Sequence, residues 1–333
     1  MNKYLSTTDA MRRTLLEQAK ERFNLPTEAV EKDLWVTQVL QILFTLPVSK
    51  HLIFKGGTSL SKAWHLIDLF SEDIDLAIDP LFLGFSEGDL TKKQIKKLRK
   101  ASSLFILETL TEQLRIRVEE MGLSEWLSID PQPNGEGDNT YPEPRQIFVH
   151  YKSALVGVSG YLHSDIVLEV SARSLLEPTS DVHIQSMLSE VVPIKDLGNA
   201  PIIVAVPGKT FLEKVFLLHE LFLVEGHGLK AERKSRHLYD LYKMMDKDFA
   251  TDAIKNDNLW EAIRHHREIY TSVNGVDYTP DVRKRIVLVP REDIIEAWRR
   301  DYDIMREAMI YGEKPRFDEL IKRMRELEAW FDI

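Results

Sequence analysis

Two aspartates one residue apart, Asp73 and Asp75, follow a turn of small residues, Gly56-Gly57-Thr58-Ser59, and that order is where chemistry is most legible in this chain. Side chains alternate along a strand, so Asp73 and Asp75 share one face of the segment Asp73-Ile74-Asp75-Leu76-Ala77-Ile78 while Ile74 and Leu76 enter the core. Neighbouring carboxylates repel unless a cation lies between them, and hard oxygen donors of this kind suit magnesium, with substrate phosphates completing its shell. Upstream, His51-Leu52-Ile53-Phe54 reads as a short apolar strand. Gly56 and Gly57 permit backbone angles denied to other residues and let a ligand approach. Thr58 or Ser59 then caps a helix expected from Leu60 to about Leu69, whose free amides attract phosphate. The combination of strand, glycine turn, helix and acidic strand implies an enzyme that handles nucleoside triphosphates. It is not a P-loop, since the G-x-x-x-x-G-K-[ST] spacing is missing, and G-x-G-x-x-G is missing too.

Those residues need a scaffold. Helices are expected over 8–22 and 27–46, the second opened by Pro26-Thr27-Glu28, with the strand–turn–helix–strand core at 51–79 and a long helix over about 88–121. A polar, Pro- and Gly-rich loop is expected over 129–145. Strands follow at about 146–158 and 164–172, and another at Ile202-Ile203-Val204-Ala205-Val206. In the segment Asp165-Ile166-Val167-Leu168-Glu169-Val170, alternation turns Asp165 and Glu169 away from the apolar side. Beyond Lys209 the pattern is mostly helical, which sets two domains, 1–206 and 207–333. Phe211, Val215, Leu218 and Phe222 form one helical stripe, and Trp298, Tyr302, Met305, Met309, Leu320, Met324 and Leu327 form core stripes further on.

The motifs Glu31-Lys32-Asp33-Leu34-Trp35, Phe54-Lys55-Gly56-Gly57-Thr58-Ser59-Leu60-Ser61-Lys62 and Ser71-Glu72-Asp73-Ile74-Asp75-Leu76 resemble the AbiEii/AbiGii toxins, a branch of the DNA polymerase β-like nucleotidyltransferases. The resemblance continues through Leu168-Glu169-Val170-Ser171-Ala172-Arg173, Thr210-Phe211-Leu212-Glu213-Lys214 and Arg236-His237-Leu238-Tyr239-Asp240-Leu241-Tyr242. It implies an α+β fold: a polymerase β-like nucleotidyltransferase core with a mixed β-sheet flanked by helices, followed by a mainly helical C-terminal domain. It also implies a toxin of a toxin–antitoxin or abortive-infection (phage defence) system, with a cognate antitoxin. The implied activity is magnesium-dependent transfer of NMP from an NTP, using two Mg2+ ions, to an RNA such as a tRNA 3′ end. The alternatives are a nucleotide-binding partner module without turnover, or a protein or small-molecule acceptor.

By resemblance, Glu169 is the third metal ligand beside Asp73 and Asp75. Gly56, Gly57, Thr58 and Ser59 hold phosphates, Lys62 reaches phosphate oxygens, and Arg173 either contacts the triphosphate or pairs with Glu169. Lys214 is an active-site lysine that neutralises triphosphate charge, or else an ordinary snorkelling lysine. Asp240 orients Lys214 or the acceptor, or pairs with Arg236 one turn earlier. Arg236 and His237 are further candidates for nucleotide contact, and Lys32 and Asp33 are expected near the site.

Composition bounds these readings. The chain has 333 residues, no cysteine and a formal net charge of −9. Disulfides and zinc–thiolate sites are excluded, and general nucleic-acid binding is disfavoured. No signal peptide or membrane-spanning run is evident, so the expected location is cytoplasmic, with no membrane partner. Two basic runs, Lys92 to Lys100 and Lys230 to Arg236, read either as solvated helix faces or as phosphate-tracking surfaces for RNA.

Overall fold

The computed structural model describes residues 2–70, 73–86, 88–155, 165–224 and 231–332. Ser71 and Glu72 of the acidic motif, Lys230 of the second basic run, and 156–158 and 164 of the expected strands lie outside the described residues. The chain divides into two compact units: Met1–Ala63 with Phe70–Ala205, and Trp64–Leu69 with Val206–Ile333.

The first unit is a seven-stranded mixed sheet with helices, as the sequence implied. Its strands are β1 (Leu52–Lys55), β2 (Asp73–Ile78), β3 (Leu127–Pro131), β4 (Arg145–Tyr151), β5 (Asp165–Ser171), β6 (Thr179–Val182) and β7 (Ile202–Ala205). They lie in the order β3-β4-β5-β2-β1-β7-β6. The β2–β5 and β1–β7 pairs are parallel, and the other neighbours are antiparallel. Alternation divides the central strands cleanly. Ile74, Leu76, Ile147, Val149, Ile166, Leu168 and Val170 are buried, whereas Asp73, Asp75, Gln146, Val167 and Glu169 are half-exposed.

The helices of this unit are α1 (Asn2–Leu5), α2 (Asp9–Phe23), α3 (Thr27–Leu43), α4 (Gly56–Lys62), α5 (Lys92–Leu104), α6 (Thr111–Glu120) and α7 (Met187–Val191). The long helix expected over 88–121 is α5 and α6 joined through one π-helical stretch, Phe105–Leu110. On the apolar side of the sheet, Arg145 donates to the carbonyl and hydroxyl of Ser103 at the end of α5. Trp35 of α3 is buried and stacks on Trp126 and Tyr151.

Three expectations need correction. The helix after the glycine turn runs over Gly56–Lys62, not Leu60 to Leu69, so Thr58 and Ser59 lie inside its first turns and not at its cap. Trp64–Leu69 is not helical and groups with the second unit, where Leu69 bridges Ile310 and the Tyr311 amide donates to the Asp68 carbonyl. The polar segment 129–145 begins inside an edge strand, β3, and a second edge strand, β6, carries too little apolar character to announce itself.

The second unit is mainly helical: α8 (Pro207–Leu223), α9 (Arg236–Met244), α10 (Asp248–Lys255), α11 (Asp257–Tyr270), α12 (Ile295–Met309) and α13 (Phe317–Trp330). Helix α8 packs against α9, α10 and α11. Trp298 meets Phe222 edge-on and Phe317 lies beside Tyr302, so the expected aromatic stripes are core. Among the described residues no helix is long and apolar enough to cross a membrane.

An ion pair ties α4 into the first unit. Lys62 Nζ lies 2.6 Å from Asp33 Oδ1 and donates to the Gln185 carbonyl, and Asp33 Oδ2 accepts from the Met187 amide. Both side chains are buried, so removing one leaves a charge without compensation. Asp33→Ala is expected to lower the unfolding free energy of this unit by about 3–5 kcal/mol in urea titrations. The double replacement Asp33→Leu with Lys62→Met should recover more than half of that loss.

Candidate active site

Strand pairing assembles the acidic face. In the parallel register of β2 and β5, Asp73 is opposite Val167 and Asp75 is opposite Glu169. Paired residues on neighbouring strands point to the same side, with backbones about 4.8 Å apart. Asp73, Asp75 and Glu169 therefore share one face, while their neighbours Ile74, Leu76, Leu168 and Val170 are buried behind it. In the antiparallel register of β4 and β5, Gln146 stands opposite Glu169 and donates to its Oε1 at 2.7 Å. Across the other edge of β2, Lys55 is opposite Asp75. Further along this side, Ile53 and Ala77 pack with Ala205 as an apolar floor. Gln146 went unnoticed in the sequence because its partner is known only once the register is known. Lys55 lay inside the glycine motif, but nothing in the spacing placed it across from an aspartate.

The glycine turn is docked onto this acidic strand. Gly56 has φ +76, a left-handed conformation that favours glycine, and a Cβ there would overlap the Asp75 carboxylate. Thr58 donates its hydroxyl to the Asp73 carbonyl, and Ser59 donates to the Gly56 carbonyl at 2.8 Å. Both hydroxyls are thus committed to the main chain, so a phosphate at this turn would be met by backbone amides. Lys62 is directed into its pair with Asp33. Arg173 sits beside Glu143, whose carboxyl is pushed up by burial and pulled back by hydrogen bonds from Ser171 and Ala172 and by the Arg173 charge.

Oxygen donors on one sheet face suit a hard divalent ion in chemistry and in backbone placement. Among the described residues, however, no three His, Asp or Glu side chains stand in a geometry that already holds a metal. The Glu169 carboxylate is drawn to Gln146 instead. The missing Cβ of Gly56 lets the Asp75 carboxylate lie directly against the glycine turn, which holds this acid at the start of α4.

The second unit holds its own charged group. Lys214 Nζ of α8 lies 2.6 Å from Asp240 Oδ2 of α9 and 3.3 Å from His237 Nδ1. Lys214 and Asp240 are brought together, as the sequence reading allowed, and it is Lys214 rather than Arg236 that pairs with Asp240. Asp240 Oδ1 is buried with no hydrogen-bond partner among the described residues. Burial pushes the Asp240 carboxyl up, but the Lys214 ammonium and His237 outweigh it, and the pKa falls below the ordinary range. Burial and the Lys214 charge push His237 down to about 4. A neutral imidazole can accept from the lysine at Nδ1, which leaves the proton on Nε2. Arg236 opens α9 and is half-buried.

Two predictions follow from this geometry. Gly56→Ala forces either the turn or Asp75 to move, and a displacement of this size at a reacting centre costs on the order of 100-fold in turnover. The expected readout is that loss in transfer rate, with a circular dichroism spectrum like that of the parent chain. His219, also buried, is likewise pushed down to about 4, by burial first. The unfolded chain protonates both imidazoles near pH 6.5, whereas the folded chain keeps them neutral to about 4. Between those values the unfolded state binds more protons, so stability falls as pH is lowered from about 6.5 toward 4. Melting temperatures measured from pH 7 to 5 should decline, and His219→Gln with His237→Gln should flatten that slope.

Comparison with known proteins agrees with the motifs. The family described as "Nucleotidyl transferase AbiEii toxin, Type IV TA system" matches residues 38–323, and the chain belongs to it. It is a nucleotidyltransferase toxin of the type IV toxin–antitoxin kind. Among solved structures, it is similar to MenT4, a nucleotidyltransferase toxin from Mycobacterium tuberculosis H37Rv, with 14% identity and a TM-score of 0.49 over 98% of each chain. No curated protein matches.

Proposed function

We propose that this member of the AbiEii toxin family transfers NMP from an NTP to the hydroxyl of an RNA acceptor, with a tRNA 3′ end as the model acceptor, in a magnesium-dependent reaction. The observation that carries this reading is the register of β2 and β5, which sets Asp75 beside Glu169 with Asp73 one pleat away on the same face, and Asp75 against Gly56. Asp73, Asp75 and Glu169 would hold two Mg2+ ions. When bound, the metal helps ionise the acceptor hydroxyl and stabilises the pyrophosphate that leaves.

The remaining work falls to the chain itself. Main-chain amides from Gly56 to Ser59, at the start of α4, face the phosphates. The Thr58 hydroxyl, bonded to the Asp73 carbonyl, fixes the turn to the acidic strand. Gln146 aims Glu169. Lys55, across from Asp75, places a positive charge on the same face. The acceptor oxygen forms a bond to the α-phosphorus, and the bond from that phosphorus to the β-phosphate bridging oxygen breaks. By the family resemblance, Lys214 neutralises triphosphate charge, with Asp240 and neutral His237 fixing its ammonium. Arg173 and Arg236 are secondary candidates for nucleotide contact, whereas Lys62 is better explained by its buried pair with Asp33. A cognate antitoxin is the partner that the family implies.

The test is to incubate the chain with labelled ATP, CTP, GTP and UTP, magnesium, and total cellular RNA and protein. Label should enter RNA, pyrophosphate should appear, and Asp73→Ala should reduce both below detection while the protein stays folded. Growth inhibition on expression should vanish with the same substitution. Label in protein would shift the acceptor to a side-chain hydroxyl. NTP binding with no label anywhere would mean a binding module without turnover, and a folded Asp73→Ala chain that still transfers label would refute the catalytic assignment.

A further inference from the structure

Helix α5 breaks two rules of helix electrostatics at once. Its residues Lys92, Lys93, Lys96, Lys97, Arg99 and Lys100 carry +6 with no acid among them, on a chain whose net charge is −9, so the rest of the chain carries −15. Lys92 and Lys93 occupy the first turn, where the helix dipole favours anions, and no acidic residue stands there. The pairs Lys92–Lys96, Lys93–Lys97 and Lys96–Lys100 repeat one like-charge contact at a spacing of four. Other means stabilise the helix. Thr91 and Gln94 form a reciprocal cap, and Leu98 is buried beneath it. A locally unfavourable arrangement that persists is a mark of function.

The geometry is that of a stripe. All five lysines are exposed, and none has a carboxylate within ion-pair distance among the described residues. At 3.6 residues per turn they fall within an arc of about 140° and span about 12 Å. The single arginine, Arg99, is turned inward to the carbonyls of Tyr141 and Asp138. Lys100 rests over the Tyr141 ring, 5.3 Å from its centroid, and the other four lysines stand at the surface as compact ammonium groups. They suit evenly spaced phosphates better than the bidentate carboxylates of an acidic peptide, for which arginine is the better match. A bilayer surface is also a poor fit, because the apolar side of α5 is packed into the unit and has nothing left to insert. A stacked strand with one charge per about 3.4 Å presents three to four phosphates over this length.

The helix is also tied to the acidic face. Ser103, at its end, is held by Arg145, and the next residue, Gln146, holds Glu169.

We infer that Lys92, Lys93, Lys96, Lys97 and Lys100 form a docking stripe for the phosphodiester backbone of the RNA acceptor. This rests on the proposed RNA acceptor and names the surface that tracks it.

The test uses the full chain and a labelled 20-nucleotide RNA, read by fluorescence anisotropy without NTP or magnesium across a salt series. Lys93→Gln with Lys97→Gln should weaken binding at least tenfold at low salt and reduce the salt slope by about 1.4, since each phosphate contact contributes about 0.7 on a single strand. Lys284→Gln with Lys322→Gln, which removes two exposed charges elsewhere, should change neither. Lys92→Glu with Lys93→Glu should weaken RNA binding still more while raising the melting temperature, because it relieves the conflict with the helix dipole. That opposite movement separates lost docking from misfolding. Equal affinity and slope in the two Gln doubles overturns the inference. So does lysine-dependent binding to phosphatidylserine vesicles or to polyglutamate in place of RNA. A chain that docks RNA through these lysines yet labels none of it overturns the proposed reaction and leaves the stripe standing. A chain that labels RNA with the same KM in the Lys93/Lys97 variant does the reverse.

Discussion

Parallel pairing of β2 with β5 forces like charges together. Asp75 and Glu169 sit on adjacent strands in register, and Asp73 lies one pleat along. Strand spacing sets their backbones about 4.8 Å apart, and the two carboxylates turn to opposite neighbours, Glu169 to Gln146 of β4 and Asp75 to Gly56. Apolar burial behind the face pins both strands, since slipping either by one residue would turn Ile74, Leu76, Leu168 and Val170 outward. The hydrophobic core therefore holds the carboxylates where they would not settle alone. Gln146 answers part of the charge on Glu169, Lys55 supplies a positive charge opposite Asp75, and the bare Gly56 lets the Asp75 carboxylate lie against the turn.

The second unit meets a different electrostatic problem. Lys214 and Asp240 are both buried, so each depends on the other to remain charged. His237 takes part as a neutral ring, since a second cation beside the lysine would be unfavourable. The result is an ammonium of fixed position rather than a mobile surface charge. Asp240 also keeps one oxygen buried without a hydrogen-bond partner among the described residues, a local cost of the arrangement.

Much of this was legible in the sequence, and the limits were physical. Alternation gave the face of Asp73 and Asp75, and it separated Glu169 from Leu168 and Val170, because period two is written into each strand. The resemblance, not the spacing, singled out Glu169, Lys214 and Asp240. Register was invisible, so Gln146 and Lys55 acquired meaning only when their neighbours were known. Lys62 looked like a phosphate ligand because it follows the glycine turn. A buried aspartate on another helix claims it instead, and no local pattern announces that pairing. Thr58 and Ser59 looked like caps, yet the helix starts earlier because Gly56 can adopt positive φ. The edge strands β3 and β6 are short; one side of β3 is solvated and β6 buries no residue fully, so their composition reads as loop.

On the proposed reading, a chain of net charge −9 that acts on a polyanion must overcome its own field. Beyond α5 the chain carries −15, and the acidic face adds concentrated negative charge at the point where phosphates must come close. Screening confines each charge to roughly 8 Å at physiological salt, so distant lysines cannot offset it and a local concentration of them can. Helix α5 supplies that concentration at the expense of its own intrinsic stability, and Thr91, Gln94 and Leu98 make up the difference. On that reading, the same unit separates two tasks that conflict electrostatically: carboxylates that need a cation before they tolerate phosphate, and lysines that hold phosphate without one.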